Sequence, residues 1–301
     1  MNKEVRFNIN RVYIIASLKG NHFQAAQDLY NYHIPFEIKQ WKEVNTKDEF
    51  IATLENIGAE TTSQSGPLLH IEAHGIDSQD GLALSNGIEL CNGEQVTWEE
   101  IRPYLTAISA RCGNNLTLVM ATCWGMYVLQ DLIKSFFDNV TGAKCPFLCF
   151  VGPETKASVD DFTEAFPDFY KTLHNSKNII QAVTAMNKKS SVKFRCDHAY
   201  NTFITCIQSF ADNQIKTRME RINKNPNEGF DYYCSLYHYT YNKTCDMDAV
   251  MSIMQDEQFY VDYLNKVKSD FLHDVDGDGE RFPGIAGLDN FEKTVPMVRV
   301  S

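Results

Sequence analysis

The sequence predicts an α/β fold built on a mostly parallel sheet with helices on its faces. Three observations predict it. Short apolar runs alternate with amphipathic stretches from Val12 to about residue 186, the pattern of strands joined by crossover helices. Capping boxes open helices at Thr46–Glu49 and Thr97–Glu100. Two of the apolar runs stop abruptly at a reactive side chain next to a glycine, one at His74-Gly75 and one at Cys123-Trp124-Gly125.

Taken in order, Val12 to Leu18 is rich in β-branched and aromatic residues and reads as a buried strand. Lys19-Gly20-Asn21 breaks it, and His22 to Tyr30 has helical spacing. Pro35 to Trp41 reads as a second strand. The helix from Thr46 carries Phe50, Leu54 and Ile57 on one face. Leu68 to His74 is the third strand. Leu82-Ala83-Leu84 and Ile88-Glu89-Leu90 flank Ser85-Asn86-Gly87, a hairpin signal. A helix from Thr97 through Ile108 follows, then the strand Leu116 to Thr122. Gly125 to Phe137 reads as a helix, Pro146 to Val151 as a strand, and Val159 to Leu173 and Ile179 to Met186 as two more helices. From about residue 191 the character changes. Ala199 to Asn223 reads as one long helix, Gly229 to Asn242 as a tyrosine-dense segment able to contain strand, and Asp246 to Asp270 as helical. The expected division is a sheet domain over residues 1–190 and a mainly helical subdomain over 191–301 packed on it.

Composition narrows the function classes. The chain has 301 residues, 44% of them hydrophobic, enough for a sizeable core. Its net charge is −11 and it has no Lys/Arg-rich run, so no nucleic-acid partner is expected. Met1 to Arg6 has no signal-peptide apolar core, and the apolar runs are too short to span a bilayer. Nine cysteines occur at irregular spacing with no CxxC pair, which argues against a disulfide framework and a thiolate zinc site. A reducing compartment, most simply the cytoplasm, is expected, with no membrane association.

The chemistry is carried by His74 and Cys123. Reactive groups in open α/β sheets gather beyond the carboxyl ends of the strands. Two neighbouring parallel strands would bring the imidazole and the thiol together there, although 49 residues separate them in sequence. A thiol beside an imidazole is a nucleophile with its base. A helix following Cys123 would favour the thiolate. Gly75 lets a substrate carbonyl approach the backbone, and the N–H groups of Gly75 and Cys123 are placed to hold an oxyanion.

Three blocks resemble the caspase-like cysteine peptidases, in particular the bacterial CHAT (caspase–HetF-associated) branch. The strand ending Ala73-His74-Gly75, followed by Asp80-Gly81-Leu82, resembles the family's histidine block. Val119 to Gly125 resembles its cysteine block. Ser158 to Asp161, Phe166 to Leu173 and Ile179 to Val183 resemble the paired helices after the last core strand. The similarity covers roughly residues 8–190. It implies a caspase-like three-layer sandwich, a catalytic dyad of His74 and Cys123, endopeptidase activity on a protein substrate and no required cofactor. It also implies switching by a partner protein, and a place in a bacterial immune or cell-death system where an effector encoded nearby, such as a gasdermin-like pore former, is cleaved. The chain departs from Arg/Lys-specific relatives, which often carry an acidic residue two positions before the cysteine, because Ala121 stands there. Arginines of the kind used by Asp-specific caspases have no evident counterparts.

Other features have plainer readings. His70 reads as a satisfied core histidine. Glu72 shares its face and reads as a structural carboxylate more readily than as a group orienting a histidine. Asp274-Val275-Asp276-Gly277-Asp278-Gly279 has the opening of a calcium loop, but Ile285 falls where a bidentate glutamate is needed, so it reads as a polar turn. The tyrosines from Tyr232 to Tyr241 are open to reading as an edge strand or a recognition surface, with ordinary packing the plainer reading. The competing reading of the whole chain is a non-catalytic scaffold on the same fold, with an unused dyad.

Overall fold

A computed structural model describes residues 4–5, 8–76, 86–207, 226–246, 250, 256–274, 282 and 299–300. The chain divides into two compact units. One comprises Glu4–Ser135, Cys145–Ala199 and Arg299–Ser301, the other Met1–Lys3, Phe136–Lys144 and Tyr200–Val298.

The first unit is an α/β structure. After the two-residue strand β1 (Glu4–Val5) its elements run β2 (Arg11–Ala16), α1 (Gly20–Asp28), β3 (Lys39–Glu43), α2 (Lys47–Glu60), β4 (Pro67–Glu72), β5 (His74–Gly75), β6 (Gly87–Glu89), β7 (Gln95–Thr97), α3 (Trp98–Arg111), β8 (Thr117–Ala121), α4 (Tyr127–Asp138), β9 (Cys149–Pro153), α5 (Val159–Ser176), α6 (Ile179–Met186) and β10 (Phe194–His198). Six strands form the central sheet in the order β10-β9-β8-β4-β2-β3. All neighbours are parallel except β9 and β10. A second, three-stranded sheet has the order β5-β6-β7, and β1 pairs in parallel with β11 (Arg299–Val300).

The central strands form because nothing in them favours anything else. Val12 to Ala16, Leu68 to Ile71 and Thr117 to Ala121 are buried throughout, so both faces of the sheet are covered. The chain leaves β2 for β3 on one side, then returns across it to β4 and continues outward to β8 and β9. Right-handed crossovers therefore put α1 on one face and α2, α3 and α4 on the other, the plan of a three-layer sandwich. On the α1 face, Val12, Ile14, Leu68 and Val119 pack with Phe166, Phe169 and Tyr170 of α5 and Ile179 of α6. Each such side chain taken fully from water contributes about 2 kcal/mol.

Helix starts follow local chemistry. The Thr46 hydroxyl accepts from the Glu49 N–H and the Glu49 carboxylate accepts from the Thr46 N–H, and Thr97 with Glu100 repeats the box. A third box, Ser158 with Asp161, opens α5. Its shorter acid departs from the Glu or Gln of the usual box.

Several expectations need correction. The second strand is Lys39–Glu43 rather than residues 35–41. It is a sheet edge with half-exposed side chains, so its apolar pattern is weak. The run through His74 is not one strand: it breaks at Ala73, and His74–Gly75 joins the small sheet opposite Glu89 and Ile88. The described hairpin joins β6 to β7, with its turn at Asn92-Gly93, where Gly93 takes φ +91. Leu82 to Ser85, part of the expected hairpin, and Asp80-Gly81 lie outside the described residues. β10 had no sequence signal as a strand.

In the second unit, α7 (Pro226–Tyr241) is a helix across the tyrosine-dense segment expected to contain strand. Tyr233, Tyr237 and Tyr241 fall at four-residue spacing, which makes them one helical stripe. The Tyr237 and Tyr241 rings lie 5.1 Å apart, and both meet Phe259 of α8 (Glu257–Phe271). Residues 199–207 are helical, and the rest of the expected long helix lies outside the described residues. So do residues 275–280 of the calcium-like loop. Its first acid, Asp274, is buried 3.8 Å from Lys268 Nζ. None of the nine cysteines forms a disulfide. No described helix is long and apolar enough to cross a membrane.

Candidate active site

The site is built by register. β4 and β8 are adjacent parallel strands, and Glu72, the last residue of β4, is the Cα partner of Ala121, the last of β8. His74 and Cys123 each lie two residues beyond that matched pair. Both line one cleft, with Leu18 beyond β2, Glu72 and Ala121 at the strand ends, and Phe166 of α5. The cleft straddles β2 and β4, where the strand order reverses, the position at which open α/β sheets hold ligands.

Close backbone packing holds the two blocks together. A Cβ built on Gly75 would lie 2.1 Å from the Cys123 carbonyl oxygen and 3.1 Å from its Cβ. The chain then turns sharply. Trp124 takes φ +53, a left-handed conformation that a bulky residue rarely adopts. Its N–H donates to the Thr155 carbonyl at 3.1 Å, and i-to-i+3 bonds lead into α4. The Cys123 thiol donates to the Ala157 carbonyl at 3.5 Å. Thr155 and Ala157 both belong to the β9–α5 connection, so that connection braces the Cys123-Trp124 turn from two sides.

Asp161 fixes the same connection. Its Oδ2 accepts from the Ser158 N–H and hydroxyl at 2.8 and 2.6 Å, and its Oδ1 accepts from the Ser191 N–H and hydroxyl at 2.8 and 2.7 Å. Burial opposes the charge, yet these bonds outweigh it and hold the carboxyl well below its usual range.

His74 stands exposed at the cleft edge. Protein crowding its ring lowers its pKa, the His22 ring 5.3 Å away lowers it further, and Glu89 opposes both. Glu89 is the Cα partner of His74 across the small sheet. His22 and Glu89 were not legible as site residues, since neither sits in a sequence pattern pointing to His74. The Ile76 N–H donates to the Gly87 carbonyl at 3.2 Å. Bonded pairs alternate in an antiparallel ladder, so the Gly75 N–H turns away from β6. The Trp124 amide is already engaged by the Thr155 carbonyl.

His70 lies wholly inside, its Nδ1 2.6 Å from the Tyr170 hydroxyl. Its Nε2 is 3.0 Å from Glu72 Oε1, within ion-pair reach but off the line of a hydrogen bond. Among the described residues, no group of three or more His, Cys, Asp or Glu is placed to hold a metal ion. Compared with protein-family models and with curated proteins, the chain matches none.

Proposed function

We propose that the chain is a cysteine endopeptidase of caspase-like fold, with His74 and Cys123 as its dyad. The observation that carries the reading is the matched pair Glu72–Ala121, from which histidine and cysteine emerge at the same step into one cleft. The lowered pKa of His74 supports it, because a neutral imidazole is the form that accepts a proton.

In this mechanism the Cys123 thiol gives its proton to His74 as sulfur bonds to the scissile carbonyl carbon. The carbonyl electron pair moves to oxygen, held by the N–H groups of Gly75 and Cys123. The oxyanion collapses, the C–N bond breaks, and His74 returns the proton to the leaving amine. Water, deprotonated by His74, then cleaves the thioester. The acid product leaves and the thiol is restored.

The test compares the parent, Cys123→Ala and His74→Ala on a proteome-derived peptide library. Cys123→Ala is expected to cleave nothing, and His74→Ala to lose about 10²- to 10⁴-fold in rate, the usual contribution of a general acid–base group. Equal cleavage by all three removes the proposal and leaves the scaffold reading.

A further inference from the structure

Cys149 and Cys196 stand on adjacent strands with their sulfurs 3.0 Å apart. Both are free thiols, and neither lines the cleft of His74 and Cys123. Cys149 belongs to β9 and is wholly buried in the core. Cys196 belongs to β10, the last strand of the six-stranded sheet, and packs against the same core while staying partly open to solvent. Cys196 pairs with Val151 and Cys149 with His198, so the two cysteines are diagonal neighbours across the ladder. Diagonal side chains on one face of a sheet start further apart than directly opposed ones. Here they lean across that gap until the sulfurs meet. A disulfide bond is about 2.0 Å long, so closing this one takes a movement of about 1 Å. β10 can supply it, because a single ladder, the one to β9, holds it in the sheet. Burial and the adjacent Cys196 push the Cys149 thiol well up, which makes it a poor nucleophile toward solutes. Cys196, which solvent reaches, meets an oxidant first.

We propose that Cys149 and Cys196 are a redox modification site, closing to a reversible disulfide when the protein meets hydrogen peroxide. In the first step the Cys196 sulfur bonds to one peroxide oxygen and the O–O bond breaks. The S–H becomes S–OH and one water leaves. In the second step the Cys149 sulfur bonds to the Cys196 sulfur and the S–O bond breaks. The hydroxyl leaves with the Cys149 proton as a second water. The two thiols lose two electrons and the peroxide gains them. A bond drawn across a diagonal is strained, and strained disulfides are the ones that cellular thiols reopen. The 47 residues from Cys149 to Cys196 carry α5, α6 and the connection behind the Cys123-Trp124 turn. Just before β10, the Lys193 carbonyl accepts from the Glu154 N–H at 3.0 Å, and Ser191 is bonded to Asp161. Drawing β10 onto β9 therefore pulls on the segment that holds that connection. The inference concerns thiols outside the proposed dyad and stands whether or not Cys123 is a nucleophile.

The test treats the full chain with hydrogen peroxide, digests it without reductant and maps every cysteine by mass spectrometry. The peptides joined through Cys149 and Cys196 are expected to become the main form of both residues, and dithiothreitol to restore the two thiols in the folded protein. Cys196→Ser should lose the joined peptides. Cys149→Ser leaves Cys196 without a partner, so Cys196 should stop as a sulfenic acid that dimedone traps. Should Cys149→Ser fail to fold, the parent and Cys196→Ser, altered only at the sheet edge, decide the matter. A parent in which both residues remain thiols overturns the inference. So does one in which Cys196 accumulates as sulfenic or sulfinic acid beside an unreacted Cys149. A bond that dithiothreitol leaves closed overturns it as well.

Discussion

Gly75 and Cys123 touch backbone to backbone: a methyl group added to the first would stand 2.1 Å from the carbonyl oxygen of the second. No side-chain rotation relieves that overlap, because the obstacle is main chain. Gly75→Ala must therefore push the histidine and cysteine blocks apart. A displacement near 1 Å at a reacting centre costs about 100-fold in rate, and that loss is expected in kcat/KM on any cleaved peptide. Near-parental activity in Gly75→Ala would show that the two blocks can separate without consequence.

The pH profile should report the surroundings of His74. Its pKa is lowered by the protein crowding its ring and by His22, so the neutral imidazole persists to more acidic pH than an ordinary histidine allows. The acid limb of kcat/KM is expected below the usual histidine range. Replacing Glu89 by glutamine removes the one influence that raises the value and should move the limb further down. His22→Gln removes a lowering influence and should move it up. Shifts of the reverse sign would mean that another group controls the limb.

Asp161 makes a stability prediction. Its carboxylate accepts bonds from Ser158 and Ser191 in a buried setting, and its folded pKa is depressed. Asp161→Asn should cost about 1–3 kcal/mol, the range for a lost cap plus a disturbed buried acceptor. A depressed carboxyl stabilises the fold above its unfolded value and loses that contribution as pH falls through the folded one. The parent's advantage should thus be complete at neutral pH and shrink below about pH 4. Denaturant titrations of both proteins at pH 7 and pH 3 measure it, and a difference independent of pH would assign the effect to shape alone.

Much of the frame was legible because the central strands are uninterrupted apolar runs and their helices begin at polar caps. Leu68 to Ile71 and Leu118 to Ala121 are buried on both faces, and no alternation competes with that message. The edges were harder to read. Lys39–Glu43 and Phe194–His198 each have only one neighbour in the sheet, so their side chains are mixed and the boundaries blur. The tyrosines near residue 237 favour strand individually, but their four-residue spacing makes a helical stripe, and packing on Phe259 decides for helix. At the candidate site, His74 and Cys123 were visible because each sits beside a glycine after an apolar run. His22 and Glu89 were not. Their relation to the site arises from crossings between distant segments, which periodicity cannot encode.

His74 rides on the three-stranded sheet, whereas Cys123 follows a strand of the six-stranded one, and Ala73 alone joins the two along β4. The separation of imidazole and thiol is thus set by both layers together. The β6–β7 hairpin is tied back to the larger sheet, where the Ser17 hydroxyl accepts from the Cys91 N–H at 2.9 Å, and to α2, where Glu94 accepts from the Lys47 N–H at 2.6 Å.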